Sequence, residues 1–248
     1  MGFHDHFSPA ARGYAAFRPH YPAALFVDLA ARAPGRRLAW DCGTGSGQAA
    51  TGLAGHFDRV IATDASAEQI DSARAHPKVT YRTVPAESSG IESSSVDLVT
   101  VAQALHWFDR PAFYEEVRRV LVPGGLLAVW CYELMTIAPA IDDLVLKFYK
   151  GDIGPCWPPE RALVEEGYRT IEFPFDEFTF PAMSIEGTMN LPELAGYLRT
   201  WSAVIRYRAD KGADPVDVLA RELAPLWGDP GERRGVRWPL SVRAGYGP

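Results

Sequence analysis

The chain has 248 residues, 47% hydrophobic and 23% charged, with a formal net charge of -6. That length suits one α/β domain with a full core, and the acidic balance counts against general nucleic-acid binding, which relies on a basic footprint. No apolar run reaches the roughly 20 residues of a membrane span, and three widely spaced cysteines (Cys42, Cys131, Cys156) fit reduced thiols in a cytoplasmic protein.

The first residues lack a basic stretch followed by an apolar one, so no signal peptide is expected. Gly2 is not followed by Ser or Thr at position 6, which argues against myristoylation. His4, Asp5 and His6 resemble a metal cluster only superficially, because no matching His or Cys pair follows; no metal site is expected. Residues 13–22 are dense in aromatics and prolines and include Arg18 and Tyr21. Two readings fit them, a lid docked over a site or a tail along the sheet edge.

Residues 22–33 read as a helix with Pro22 in its first turn. Residues 38–41 read as a strand that runs into Asp41-Cys42-Gly43-Thr44-Gly45-Ser46-Gly47 and then a helix over 48–57. Strand, glycine turn and helix form a nucleotide-site layout. A dinucleotide fingerprint would need glycine at position 48, where this chain has Gln48. Gly43, Gly45 and Gly47 let the backbone turn tightly against a ligand. The helix start favours a carboxylate, and Asp41 offers charge to an amine, so the loop suits an amino-acid zwitterion.

A second strand over 59–63 ends at Asp64, where a carboxylate can accept ribose hydroxyls. Ser66 and Gln69 spell a capping box for the next helix, which stops before Pro77. Strands follow over 79–84 and 96–102. Ala86 and Glu87, after the first of these, sit where an adenine edge is read, although Glu87 equally fits an exposed surface. The second closes on Ala102-Gln103-Ala104-Leu105-His106-Trp107-Phe108. His106 fits a general base or a hydrogen-bonded structural histidine. Trp107 fits a pocket wall beside a sulfonium or plain packing. Pro111 opens a helix ended by Pro123-Gly124-Gly125, and residues 126–131 form a fifth strand.

The alternation of strand and helix implies a parallel, doubly wound sheet covered on both faces. Residues 170–180 alternate aromatic and polar residues as a half-buried strand does. Helices over 191–205 and 215–226 and a strand over 235–242 give a strand, helical insert, strand ending. Chain 1–248 reads as one domain: a lid and first helix over 1–33, a cofactor core over 36–135, and a capping insert over about 184–230.

These motifs resemble the class I S-adenosylmethionine-dependent methyltransferases of type 11, through the 41–47 loop, Asp64, Ala86-Glu87, the 102–108 edge and Pro123-Gly124-Gly125. Residues 14–22, 103–108 and 197–202 are similar to segments of trans-aconitate methyltransferase-like proteins. The resemblance implies a Rossmann-like, seven-stranded, mostly parallel sheet with a reversed final strand, and S-adenosyl-L-methionine as cofactor. It implies that Asp41, Gly43, Gly45 and the loop through Gly47 hold the methionine moiety, Asp64 the ribose, and Ala86 and Glu87 the adenine. Gln103 would lie near the methionine end, with His106 and Trp107 toward the methyl group. The expected reaction is O-methylation of an organic acid or related metabolite by direct SN2 transfer. Arg18, Tyr21, Trp107, Arg199 and Trp201 are the acceptor-site candidates, Arg18 and Arg199 as cationic clamps or surface ion-pair partners. Two other readings stay open: an NAD-dependent oxidoreductase, which the glycine spacing and Gln48 disfavour, and a cofactor-binding protein without turnover.

Overall fold

The computed structural model describes residues 19–247. Five parallel strands form the framework: β1 Leu38–Cys42, β2 Arg59–Asp64, β3 Val79–Thr83, β4 Val96–Ala102 and β5 Leu121–Tyr132. Three more complete the sheet, β6 Asp176–Phe178, β7 Met183–Met189 and β8 Arg234–Tyr246, in the order β3-β2-β1-β4-β5-β8-β6 with β7 also paired to β8. Only β8 is reversed: it runs antiparallel to β5, β6 and β7. β6 pairs with residues 244–246 of β8 and β7 with residues 234–240, so the two short strands share one lane. Eight strands thus occupy the seven lanes expected.

The central strands are buried on both sides, and their side chains alternate between two cores. Ala39, Leu98, Leu126, Ala128 and Trp130 enter one core. Leu38, Trp40, Val99, Leu127 and Val129 enter the other. Asp97 fastens the start of β1 by accepting the Arg37 and Leu38 amides at 2.9 and 3.0 Å. Helices α1 (Ala23–Arg32) and α2 (Gln48–Leu53) pack on the first core, and α4 (Arg110–Val120) on the second. Between them α3 (Ala67–Asp71) starts at Ser66, whose hydroxyl accepts the Gln69 amide at 3.3 Å, one half of the expected box.

Four sequence expectations change. The strand expected over 170–180 shrinks to β6, although burial alternates as expected through Ile171 and Phe173. Pro174 has no N–H to donate in the middle of the run, so pairing begins only after it. The hairpin partner of β8 is instead β7 for most of its length. β5 begins at Leu121 rather than after the Pro-Gly-Gly, with a register shift between Val96 and Leu98 on β4 that absorbs the turn-like residues. The insert holds three helices, α7 (Leu191–Arg199), α8 (Ser202–Lys211) and α9 (Pro215–Trp227). Thr200 breaks the first pair by turning its hydroxyl onto the Tyr197 carbonyl at 2.6 Å, and Trp201 is extended.

Residues 139–165, unassigned from sequence, hold α5 (Pro139–Lys147), a π turn at Phe148–Asp152, a 3-10 turn at Gly154–Cys156 and α6 (Arg161–Glu165). Among the described residues no helix is long and apolar enough to cross a membrane.

Candidate active site at the carboxyl edge of the sheet

Gly43, Gly45 and Gly47 all have positive φ, at 68°, 53° and 78°. Two of them also lack room for a side chain. A Cβ at Gly43 would lie 2.5 Å from the Ala104 Cβ, and one at Gly47 would strike the Tyr81 hydroxyl. Gly45 differs: a Cβ there would meet only Gln69 Oε1, at an ordinary contact distance of 3.7 Å.

Asp41 lies beneath this loop and is fully buried. Its Oδ2 accepts the Thr44 hydroxyl at 2.5 Å and its Oδ1 the Thr100 hydroxyl at 2.8 Å. The Ala50 amide, in the first turn of α2, points to the same carboxylate. Burial pushes the carboxyl up to about 6 against these bonds. With no exposed surface, this carboxylate braces the loop from below.

Asp64 ends β2, half-buried, with Oδ2 accepting the Gly45 amide and Oδ1 the Ser66 amide, both at 2.9 Å. It therefore ties the glycine loop to the tip of the neighbouring strand. Ala86 is buried nearby in sequence, while the Glu87 Oε1 accepts the Asp109 amide at 3.0 Å and so anchors the start of α4. Gln48 donates to the Pro19 carbonyl at 3.0 Å, fixing the segment before α1 to the start of α2. Tyr21 packs edge-on against Trp130, with ring centroids 5.5 Å apart. Arg18, most of the expected lid, and His4, Asp5 and His6 lie outside the described residues.

Past β4 the chain turns sharply. Gln103 takes a left-handed φ of 58°, unusual for a residue with a side chain, and its amide bonds the Trp130 carbonyl. Strain of this kind clusters at functional sites. A short 3-10 turn, Leu105–Trp107, follows. His106 is buried, and its Nδ1 lies 2.8 Å from the hydroxyl of the fully buried Tyr168. Burial first, then the Arg161 and Arg110 charges, lower the imidazole to about 3. At neutral pH His106 is an uncharged ring with little affinity for a proton. That weakens its candidacy as a general base, whose ideal affinity lies near the working pH.

Gln103, His106 and Trp107 line a cavity together with Trp157, Arg161 and Trp201. Of the sequence candidates, Trp107 and Trp201 thus come together with the β4 edge. Arg199 does not: Asp214 Oδ2 and Asp217 Oδ1 hold it, both at 2.7 Å, where α7 meets α9. Two carboxylates outcompete the cavity for it. The cavity's guanidinium is Arg161, which sequence reasoning missed. The available signal was Cys156-Trp157-Pro158-Pro159, an aromatic-proline cluster just before a lone arginine.

Residues 40–129 match the family model described as a methyltransferase domain. A Dictyostelium discoideum protein named as a methyltransferase is 39% identical over 221 residues, covering 88% of this chain and 83% of that one. A Saccharomyces cerevisiae protein named as an S-adenosylmethionine-dependent methyltransferase is 31% identical over 124 residues, 46% of this chain and 43% of that one. A solved structure from Anaeromyxobacter dehalogenans, titled as a type II methyltransferase, is 47% identical with a TM-score of 0.88, covering 93% of this chain and 98% of that one. Sheet order, glycine loop and relatives agree: the chain belongs to the class I S-adenosylmethionine-dependent methyltransferases.

Proposed function

We propose that this methyltransferase moves the sulfonium methyl of S-adenosylmethionine onto an oxygen of a small organic acid or related metabolite, by direct SN2 displacement. The observation that carries the reading is the partly open cavity at the β4 edge, walled by Trp107, Trp157 and Trp201 and holding one guanidinium. Its aromatic walls suit a small molecule rather than a polymer surface.

The residues present fit the cofactor. Gly45, with no Cβ and only Gln69 Oε1 within contact range of one, would admit close backbone approach, and Asp64 stands at the tip of β2, where ribose hydroxyls would be met. Gly43, Gly47 and Asp41 shape the loop from below; Ala86 and Glu87 would border the adenine. Gln103 would lie beside the methionine end. When bound, the cofactor supplies an electrophilic methyl group. The chain's own task is to hold the acceptor oxygen in line and exclude water, an alignment that removes roughly 7–11 kcal/mol of barrier in favourable cases.

A carboxylate oxygen is already ionised at neutral pH and needs no base, consistent with the low basicity of His106. In the tautomer that protonates Nε2, Nδ1 accepts the Tyr168 hydroxyl 2.8 Å away and His106 would donate a hydrogen bond rather than take a proton. The test is incubation with isotopically labelled cofactor and a mixture of small acids, alcohols and amines, read by mass spectrometry. Label in an ester or ether product is expected. Label only in an amine or in no product would overturn the oxygen assignment.

A further inference from the structure

The cavity cation is built to a purpose that packing alone does not explain. Arg161 lies over the Trp157 ring at 4.8 Å and the Tyr149 ring at 5.4 Å. Its Nε donates to the Tyr149 hydroxyl at 2.6 Å, and that hydroxyl donates to Glu165 Oε1 at 2.5 Å. Three contacts therefore fix the plane of the guanidinium through its Nε side. Among the described residues its two terminal nitrogens make no hydrogen bond, and Arg161 makes no ion pair. Arg199 and Arg243 are by contrast held by carboxylates, whereas Arg161 keeps its terminal nitrogens beside the cavity that it lines.

Glu133 also lines the cavity, with Oε1 held by the Ser241 hydroxyl at 3.0 Å. It does not pair with Arg161, so the cavity presents two separated opposite charges. An anionic group entering it is repelled by one and drawn to the other, which sets the direction in which a polar acceptor lies.

We propose that Arg161 reads a carboxylate of the acceptor that is not the methylated oxygen, through a bidentate contact of its two terminal nitrogens. The planar fork matches a carboxylate in a way lysine cannot. Using it on a second carboxylate leaves the reacting oxygen its nucleophilicity. The favoured acceptors are then small molecules with one carboxylate for recognition and a second oxygen nucleophile. This rests on the cavity being the acceptor site.

The test titrates succinate, citrate and the uncharged dimethyl succinate into the full-length protein saturated with S-adenosylhomocysteine, followed by calorimetry. Wild-type protein is expected to bind at least one of the two acids and not the diester. Arg161→Gln is expected to weaken that binding 30-fold or more, with Arg161→Lys intermediate and Tyr149→Phe, which keeps the charge but frees Nε, weaker by several-fold. S-adenosylhomocysteine affinity of each variant reports that it is folded and is expected to stay within twofold of wild type. Equal acid binding by Arg161→Gln, or binding of the diester in preference to both acids, overturns the assignment to Arg161 while leaving methyl transfer intact. Failure of wild-type protein to bind S-adenosylhomocysteine would instead overturn the site reading beneath it.

Discussion

His106 shows how burial sets a residue's chemistry. Its imidazole is lowered from 6.5 to about 3, first by desolvation and then by the neighbouring arginine charges. The unfolded chain therefore binds a proton below about pH 6.5 that the folded chain refuses. Stability from this group is complete above that pH and declines as pH falls toward 3, by ~2 kcal/mol between pH 7 and pH 5. Asp41 acts in the opposite sense. Its carboxyl is raised from 3.8 to about 6, so the folded state holds the proton longer and loses stability as pH rises from about 4 to 6. Denaturant unfolding at pH 7 and pH 5 is expected to show a smaller acid-side loss in His106→Asn than in wild type. Its turnover profile gives an independent check: kcat between pH 5.5 and 8 is expected to show no inflection that His106→Asn removes. An inflection near pH 6.5 that vanishes in the variant would restore the base role. The same competition among neighbours separates the two arginines. Arg199 spends its charge on Asp214 and Asp217, whereas Arg161 is tethered by a hydroxyl and two aromatic faces.

The glycine turn is an element whose three glycines have different reasons to be glycine. All three have left-handed backbone, but only at Gly43 and Gly47 would a Cβ clash with a neighbour. Gly43→Ala places a methyl on Ala104 and Phe108, and a loss of ~2–4 kcal/mol is expected from strain and overpacking together. Gly45→Ala carries the backbone strain alone, at ~1 kcal/mol or somewhat more. Its new methyl would stand where the cofactor is proposed to approach, so S-adenosylhomocysteine affinity is expected to fall at least tenfold while the fold persists. Chemical denaturation and calorimetry on the pair distinguish these outcomes. Equal stability loss in both, or unchanged affinity in Gly45→Ala, would mean the ligand does not approach there. A similar division runs through the sheet edge. Ile171 and Phe173 alternate with exposed residues as a strand would, yet Arg243 holds the backbone here by donating to the Tyr168 and Ile171 carbonyls at 2.7 and 2.6 Å. That side chain substitutes for the ladder Pro174 forbids, and it helps place the Tyr168 phenol beside His106.

At the scale of the whole molecule, the sheet gathers the loop after β1, the tip of β2 and the strained turn after β4 at one edge, and Trp157, Arg161, Tyr197 and Trp201 line a cavity with the last of these. A ligand bound to that edge stabilises the folded chain by mass action, about 2.7 kcal/mol at a hundredfold excess over its Kd. A clear rise in melting temperature is expected with S-adenosylhomocysteine and none with NADH at the same concentration, measured by thermal unfolding. The reverse pattern would favour the oxidoreductase reading over the family assignment. Much of this was legible in the chain by itself. Strands, helix starts and the glycine turn are local events, dictated by alternation of apolar residues, capping side chains and the freedom of glycine. So the doubly wound order and the glycine turn between β1 and α2 followed from positions 38 to 64 and the repeated alternation. What local pattern cannot carry is a choice among partners distant in sequence. Arg161 and Arg199 look alike in sequence, and only packing set one between aromatics and the other between two aspartates. Met183–Met189 became a strand because β8 offered it a free edge. Asp41 is braced beneath the loop by Thr100, fifty-nine residues away, a contact that no local pattern announces. Competition among such long-range contacts is settled in three dimensions, and there the cavity at the β4 edge took its character.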